Sequence, residues 1–271
     1  MPPQVVSDRP EFYDVSVARD GDAVSMLNDL QYRLLRRFWS QSRPLEVSTA
    51  YVGTSKLEVL FGGGIWQAIR GRTVLDFGCG LGEQVVELAG RGAAHVIGLD
   101  INQELLQRAA RNVAAAGVAG KCTLVSTPPR QADLVLSLDC FEHFGDPAGV
   151  LRTMASMLQP EGEVWISFGP PWFHPLGGHL FSVFPWAHLV FSEAALLRWR
   201  ADFKPDKGRS FEDVGLNRMT VRRFRRLVEE SPFRCLQLEP VPIRRLHWLA
   251  SPVTREFTTA IVRCRLALRS R

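Results

Sequence analysis

From Thr73 onward the chain alternates short apolar runs with longer amphipathic ones, and this limits the available folds more than any other feature. Thr73-Val74-Leu75-Asp76-Phe77, His95-Val96-Ile97-Gly98-Leu99-Asp100, Cys122 to Val125, Asp133 to Leu138 and Val164 to Phe168 read as strands. Helical faces lie between them. Val85, Val86 and Leu88 mark one over about 83–91. Leu105, Leu106, Ala109, Ala110 and Val113 mark a second, stopped by Gly117. Asp146-Pro147 opens a third as cap and first helical residue, with Val150, Leu151, Met154, Met157 and Leu158 inward. Gln159-Pro160-Glu161-Gly162 then turns the chain into the fifth strand. A helix from Thr220 (Val221, Phe224, Leu227, Val228) and strands around Arg234 to Leu238 and Phe257 to Leu266 complete the pattern. Strands joined to helices by short turns pair in parallel and carry helices on both faces. The expected fold is α/β, with a doubly wound, mostly parallel seven-stranded sheet.

Two regions fall outside that rhythm. Residues 1–22 read as a polar lead-in. Met26, Leu27, Leu30, Leu34, Leu35 and Phe38 predict a helix over about 25–40 with one apolar stripe. Residues 41–72 read as a loop and a second short helix, with Gly62-Gly63-Gly64 as a breaker. The whole of 1–72 is therefore expected to form a helical cover on a domain spanning 73–271. Within that domain, 169–218 is too long for a connecting loop. Its prolines and its aromatics, Trp172, Phe173, Phe181, Phe184, Trp186, Phe191 and Trp199, predict an inserted lid after the fifth strand.

Composition narrows the class. With 271 residues, 46% hydrophobic and 23% charged, the chain can bury a sizeable core, and collagen-like or wholly disordered structure is excluded. Five scattered cysteines without a CxxC pair argue against a disulfide framework or a Cys-rich zinc site. The opening stretch, Met1 to Asp20, lacks an apolar core of signal-peptide type, so a cytoplasmic location is expected. The long charge-free stretch Val164 to Ser192 carries too many prolines and glycines for a spanning helix. The net charge of +5 comes from an arginine-rich basic set. It reads as a solvated surface, with anionic lipid or phosphate as alternative partners. Arg222, Arg223, Arg225 and Arg226 occupy the polar side of their helix, and no RNA-binding module accompanies them, so nucleic acid is not the expected partner.

The peptide that carries chemistry is Asp76-Phe77-Gly78-Cys79-Gly80-Leu81-Gly82-Glu83, between the first strand and its helix. Glycines there let a ligand touch the main chain. A dinucleotide site uses G-x-G-x-x-G and brings pyrophosphate to the helix start. Here Glu83 stands where the last of those glycines belongs, and its carboxylate would repel a pyrophosphate. The acidic Asp76 suits a ligand with an ammonium group. The motif, followed by an acid at the end of the second strand, resembles that of the class I, Rossmann-like S-adenosylmethionine-dependent methyltransferases. The resemblance covers about 73–168 closely and 219–266 by pattern.

That resemblance implies S-adenosylmethionine as cofactor. Gly78, Cys79 and Gly80 would meet its methionine part, with Gly82 completing the turn and Asp76 orienting the amino group. Asp100 would take the ribose hydroxyls, since a carboxylate offers acceptors for a vicinal diol, and Ile101 would lie beside the cofactor. Ser126 or Thr127 would stand near the adenine, in place of the usual acid. Leu138 and Asp139 would approach the methionine end or the acceptor. Glu142-His143 is a frequent family feature, readable equally as a helix start.

Methyl transfer to oxygen needs a base. His143, His174 and His179 are the candidates, the last two in Pro170-Pro171-Trp172-Phe173-His174-Pro175-Leu176-Gly177-Gly178-His179. A metal held by His174, His179 and a carboxylate is an alternative that no recognised ligand spacing supports, so no metal is expected. The expected activity is methylation of a small or lipid-like acceptor, on oxygen rather than nitrogen. The apolar lid and the arginines allow peripheral membrane contact. Methylation of RNA or protein, and a non-catalytic cofactor-binding protein, remain the rivals.

Overall fold

The computed structural model describes residues 15–39, 53–129, 132–204 and 208–269. Its centre is a seven-stranded sheet: β1 (Thr73–Phe77), β2 (His95–Leu99), β3 (Cys122–Val125), β4 (Ala132–Leu138), β5 (Leu158–Phe168), β6 (Phe233–Pro242) and β7 (Thr259–Leu268), in the order β3-β2-β1-β4-β5-β7-β6. The first five strands pair in parallel. β7 runs antiparallel to both β5 and β6. Asp76 lies opposite Gly98 on one side and Leu136 on the other. The chain winds outward from β1 to β3, then returns to β4 on the other side of β1. This reversal opens a crevice at the carboxyl ends of β1 and β4, where open α/β sheets hold ligands.

Both faces of the sheet are covered because successive residues of a buried strand point to opposite faces. Val74, Val96, Leu134 and Leu136 face α2 (Lys56–Phe61), α3 (Gly64–Ile69), α4 (Glu83–Gly90) and α5 (Gln103–Ala115). Leu75, Val135, Ile166 and Val164 face α6 (Pro147–Met157) and, further along the chain, α9 (Val221–Glu229). On that second face Phe141, Phe168 and Phe224 meet with ring centroids 4.9–6.0 Å apart. Each contributes about 2–3 kcal/mol through burial. Asp146 caps α6 by accepting from the Gly149 N–H, with Pro147 in the first turn, as its sequence signals. Thr220 caps α9 in the same way through the Arg223 N–H.

Several boundaries differ from expectation. β5 begins at Leu158, so the Pro160-Glu161-Gly162 segment lies within its span; the register shift between Ala132 and Leu134 absorbs it. Gly64 does not break a helix but opens α3, the break falling at Gly62-Gly63. A short α10 (Arg255–Thr258) precedes β7, where the strand was expected to start already at Phe257.

The largest correction concerns α1 (Val15–Trp39), which starts within the stretch read as a polar lead-in. Residues 1–14 and 40–52 lie outside the described residues. Among the described residues, the apolar stripe does not face a core. Met26 and Phe38 are 73% and 66% exposed, and Leu27, Leu30 and Leu34 are exposed too. Only Leu35 of that set is buried. A neighbouring face wins because it carries bonding partners as well as apolar atoms. Gln31 accepts from the Ser192 N–H, Asn28 accepts from the Ser192 hydroxyl, and Tyr32 donates to Asp202. These contacts seat α1 on α8 (Glu193–Ala201). Residues 169–218 have a core of their own, built from Phe181, Val183, Ala187, Ala195, Leu196, Trp199, Phe211 and Leu216, and Leu35 joins it. Within this segment lies the short α7 (Ala187–Val190).

Candidate active site

The crevice is built from three turns. The first joins β1 to α4. The Gly78 and Cys79 N–H groups both donate to the Leu99 carbonyl, at 2.8 and 3.0 Å, which ties the turn to the end of β2. Gly78 has φ +82°, and a Cβ there would lie 2.8 Å from the Cys140 sulfur, so glycine is required on both counts. Gly82, at φ +76°, would bring a Cβ within 3.0 Å of Ala109; this glycine lets α4 approach α5. At Gly80 an added Cβ meets no protein atom within 4 Å, leaving the main chain open to a ligand.

Asp76 stands beneath this turn, buried, with no hydrogen-bond partner for Oδ2 among the described residues. Burial pushes its carboxyl up to about 7, and Asp100 adds to the rise while Lys56 opposes it. The Cys79 thiol is pushed up to about 12, chiefly by burial, and Cys140 is also raised; neither is a thiolate nucleophile at neutral pH.

Asp100 closes the turn from the other side. One carboxylate oxygen accepts from the Gly80 N–H at 2.9 Å and the other from the Asn102 N–H at 2.9 Å. Each oxygen retains a second lone pair for a ligand hydroxyl. Ile101 beside it is 91% exposed, an apolar side chain with no packing partner to explain it. Ser126 and Thr127 follow β3, half-buried and exposed respectively. These residues therefore gather at one end of the sheet.

The turn after β4 supplies the opposite wall. Leu138 is buried. Asp139 takes φ +51°, with its N–H bonded to the Ser167 carbonyl. Its carboxylate pairs with Lys56 at 2.8 Å. Sequence reasoning missed Lys56. It sits in the first turn of α2, and only the packing of that helix on the sheet brings it to Asp139 and within electrostatic reach of Asp76.

Phe141–His143 form a single 3-10 turn, held by Asn217. The Asn217 side-chain amide donates to the Phe141 and Phe144 carbonyls, both at 2.9 Å. Glu142 is buried, and burial pushes its carboxyl up to about 8. Its Oε1 accepts from the Gly169 N–H and its Oε2 has no partner.

Of the three candidate histidines, the structure brings two together. The rings of His143 and His179 lie 5.3 Å apart in an edge-on arrangement, with Glu142 beside them. His174 stands apart from this group. Its Nδ1 accepts from the Leu176 N–H at 2.9 Å. Burial pulls both His174 and His179 down to about 4, so both rings are neutral at neutral pH. The grouping that forms is thus Glu142, His143 and His179, rather than His174 and His179 with a carboxylate.

Comparisons with known proteins bear on the fold and on residues 75–166. Residues 75–166 match the family model described as a methyltransferase domain. "Ubiquinone biosynthesis O-methyltransferase" from Neisseria meningitidis is 36% identical over 106 residues, covering 36% of this chain and 44% of that protein. The protein of the same name from Aeromonas salmonicida is 38% identical over 103 residues, covering 36% and 43%. The chain thus spans less than half the length of the curated relatives it matches. The solved S-adenosylmethionine-dependent methyltransferase from Mesorhizobium loti superposes with a TM-score of 0.50 at 21% identity, over 74% of this chain and 95% of that one. Sheet order and glycine turn define a Rossmann-like α/β protein of the doubly wound type. Residues 75–166, from β1 to β5, are similar to a methyltransferase domain.

Proposed function

We propose that this chain transfers a methyl group from S-adenosylmethionine to an oxygen of a small or lipid-like acceptor. The observation that carries the reading is the buried Asp76 carboxyl, whose Oδ2 has no hydrogen-bond partner among the described residues, beneath an open glycine turn and near Asp100. An ammonium group supplies the charge that Asp76 lacks. The free lone pairs of Asp100 suit a ribose diol, and the exposed Ile101 suits an adenine face. Gly78, Cys79 and Gly80 would border the methionine part, Leu138 and Asp139 its far side, and Ser126 or Thr127 the adenine. Gly82 would shape the turn from behind. When bound, the sulfonium supplies an electrophilic methyl group; the protein's task is alignment, exclusion of water and removal of a proton.

His143 is the residue we assign as base. Its Nδ1 donates to the Gly215 carbonyl at 2.6 Å, which fixes the tautomer and leaves Nε2 as a proton acceptor. Burial weakens His174 and His179 as bases, so these are assigned to the acceptor side of the lid. Relatives named as O-methyltransferases match 36% of this chain, which supports oxygen as the methylated atom. Exposed Trp186, Leu189 and Val190 on the lid support contact with a lipid surface. No helix among the described residues is long and apolar enough to cross a membrane.

The test is release of S-adenosylhomocysteine with a panel of phenolic and lipid-linked hydroxyl acceptors. Turnover with a member of that panel supports the reading. Turnover only with RNA or protein, or cofactor binding without turnover on any acceptor, replaces it with one of those alternatives. Co-sedimentation with anionic liposomes tests the lipid contact, and full recovery in the supernatant refutes it.

A further inference from the structure

We infer that Glu142, His143 and His179 form a binding site for one divalent transition-metal ion of the zinc type. The three residues each offer one ligand atom, and these atoms lie within 4.8 Å of one another. Two come from the turn after β4 and one from the lid, so the site bridges the sheet and the insertion. Bonds of about 2.1 Å in tetrahedral geometry set donors about 3.4 Å apart, a contraction that small side-chain rotations supply.

The surroundings prepare these atoms for a cation. Glu142 is 2% exposed and its Oε2 has no partner, while its Oε1 is anchored on the Gly169 N–H. A buried carboxylate oxygen without a donor is costly unless something positive meets it. His179 Nε2 is likewise buried, without a partner among the described residues. His143 Nδ1 donates to the Gly215 carbonyl at 2.6 Å, which turns the Nε2 lone pair outward. The His143 imidazole held by a backbone carbonyl, next to a hydrogen-bonded carboxylate, matches the supporting contacts that metal-binding histidines and carboxylates receive. His179 also takes φ +50°, an uncommon conformation for a residue with a Cβ, and the lid holds it there.

Nitrogen and carboxylate donors in a two-to-one ratio suit zinc or its neighbours better than calcium or magnesium, which prefer all-oxygen sites. His143 is exposed, so a bound ion keeps one side open to a further ligand. The site is argued from its own donors and does not depend on the methyl-transfer reading. If that reading also holds, the ion would take over from His143 the activation of the acceptor oxygen, so activity alone does not separate the two roles.

The test therefore reads the metal. The full chain, stripped with a chelator and exchanged into metal-free buffer, is titrated with cobalt(II) and with zinc(II) in the absence of cofactor. One cobalt per chain, with visible ligand-field absorption displaced by zinc, is expected. In His143→Ala and in His179→Ala the affinity falls more than tenfold, while the exposed His247→Ala retains it. Circular dichroism and urea midpoints establish that each variant is folded, and the wild-type titration decides the matter if one is not. No stoichiometric uptake by the wild type, or unchanged uptake in the His143→Ala, His179→Ala double variant, overturns the site.

Discussion

If Asp76 receives the ligand's ammonium group, cofactor binding must expel a proton. In the free protein its carboxyl is pushed up to about 7, mainly by burial. At pH 6 about nine-tenths of the chains therefore carry a proton on Asp76, and at pH 8 about one-tenth. A cation beside the carboxyl holds it ionised in the complex. Linkage then makes the affinity for S-adenosylhomocysteine about tenfold weaker at pH 6 than at pH 8, with about 0.9 proton released per ligand bound at pH 6. Calorimetric titration at pH 6, 7 and 8, in buffers of different ionisation enthalpy, measures both quantities. Asp76→Asn subtracts the ligand's own titrating groups, and its affinity loses this pH dependence. A wild-type affinity that does not change over this range, or an Asp76→Asn variant that retains the same dependence, refutes the assignment.

Four further outcomes follow from the geometry. Lys56→Met removes the cation that lowers Asp76, so the midpoint of the pH–affinity curve moves above 7 in the same titration. His143→Ala lowers kcat by about 10²–10⁴ while calorimetry finds cofactor affinity unchanged; an unaltered kcat removes His143 as base. Gly78→Ala must hold φ +82° and displace the Cys140 sulfur, a cost of about 1–3 kcal/mol in urea unfolding at neutral pH. His174 and His179, at about 4 when folded against an ordinary 6.5, each take up a proton on unfolding between those values. Their contribution to stability is present above pH 6.5 and is lost as pH falls toward 4. A His174→Gln, His179→Gln variant shows a stability–pH slope in that window smaller than wild type by about two protons.

What was legible in the sequence is what is encoded locally. β1 to β4, the capped α6 and the glycine turn follow from periodicity, caps and breakers, each readable within about ten residues. Asp76, Gly80 and Asp100 came together as expected because two adjacent parallel strands deliver them. Contacts between distant segments were not legible. Lys56 reaches Asp139 across 83 positions, and no pattern around Lys56 distinguishes it from a solvated lysine. Its being one of only four lysines was the sole hint. The helix α1 was legible from its stripe, but periodicity locates an apolar face without saying what covers it. Asn28, Gln31 and Tyr32, on the neighbouring face, made the contacts instead. The histidines are found as a set by residue type, but their pairing depends on how residues 169–218 fold. That segment puts His179 at the turn after β4 and leaves His174 bonded to its own loop.

The central claim is that the turn at 78–82 holds a sulfonium nucleoside rather than a pyrophosphate. Calorimetry of the full chain with S-adenosylmethionine and, separately, with a nicotinamide dinucleotide tests it most directly. The account predicts saturable one-to-one binding of the first, weakened in Asp100→Ala, and no heat with the second. Saturable binding of the dinucleotide, with none of S-adenosylmethionine, would contradict it.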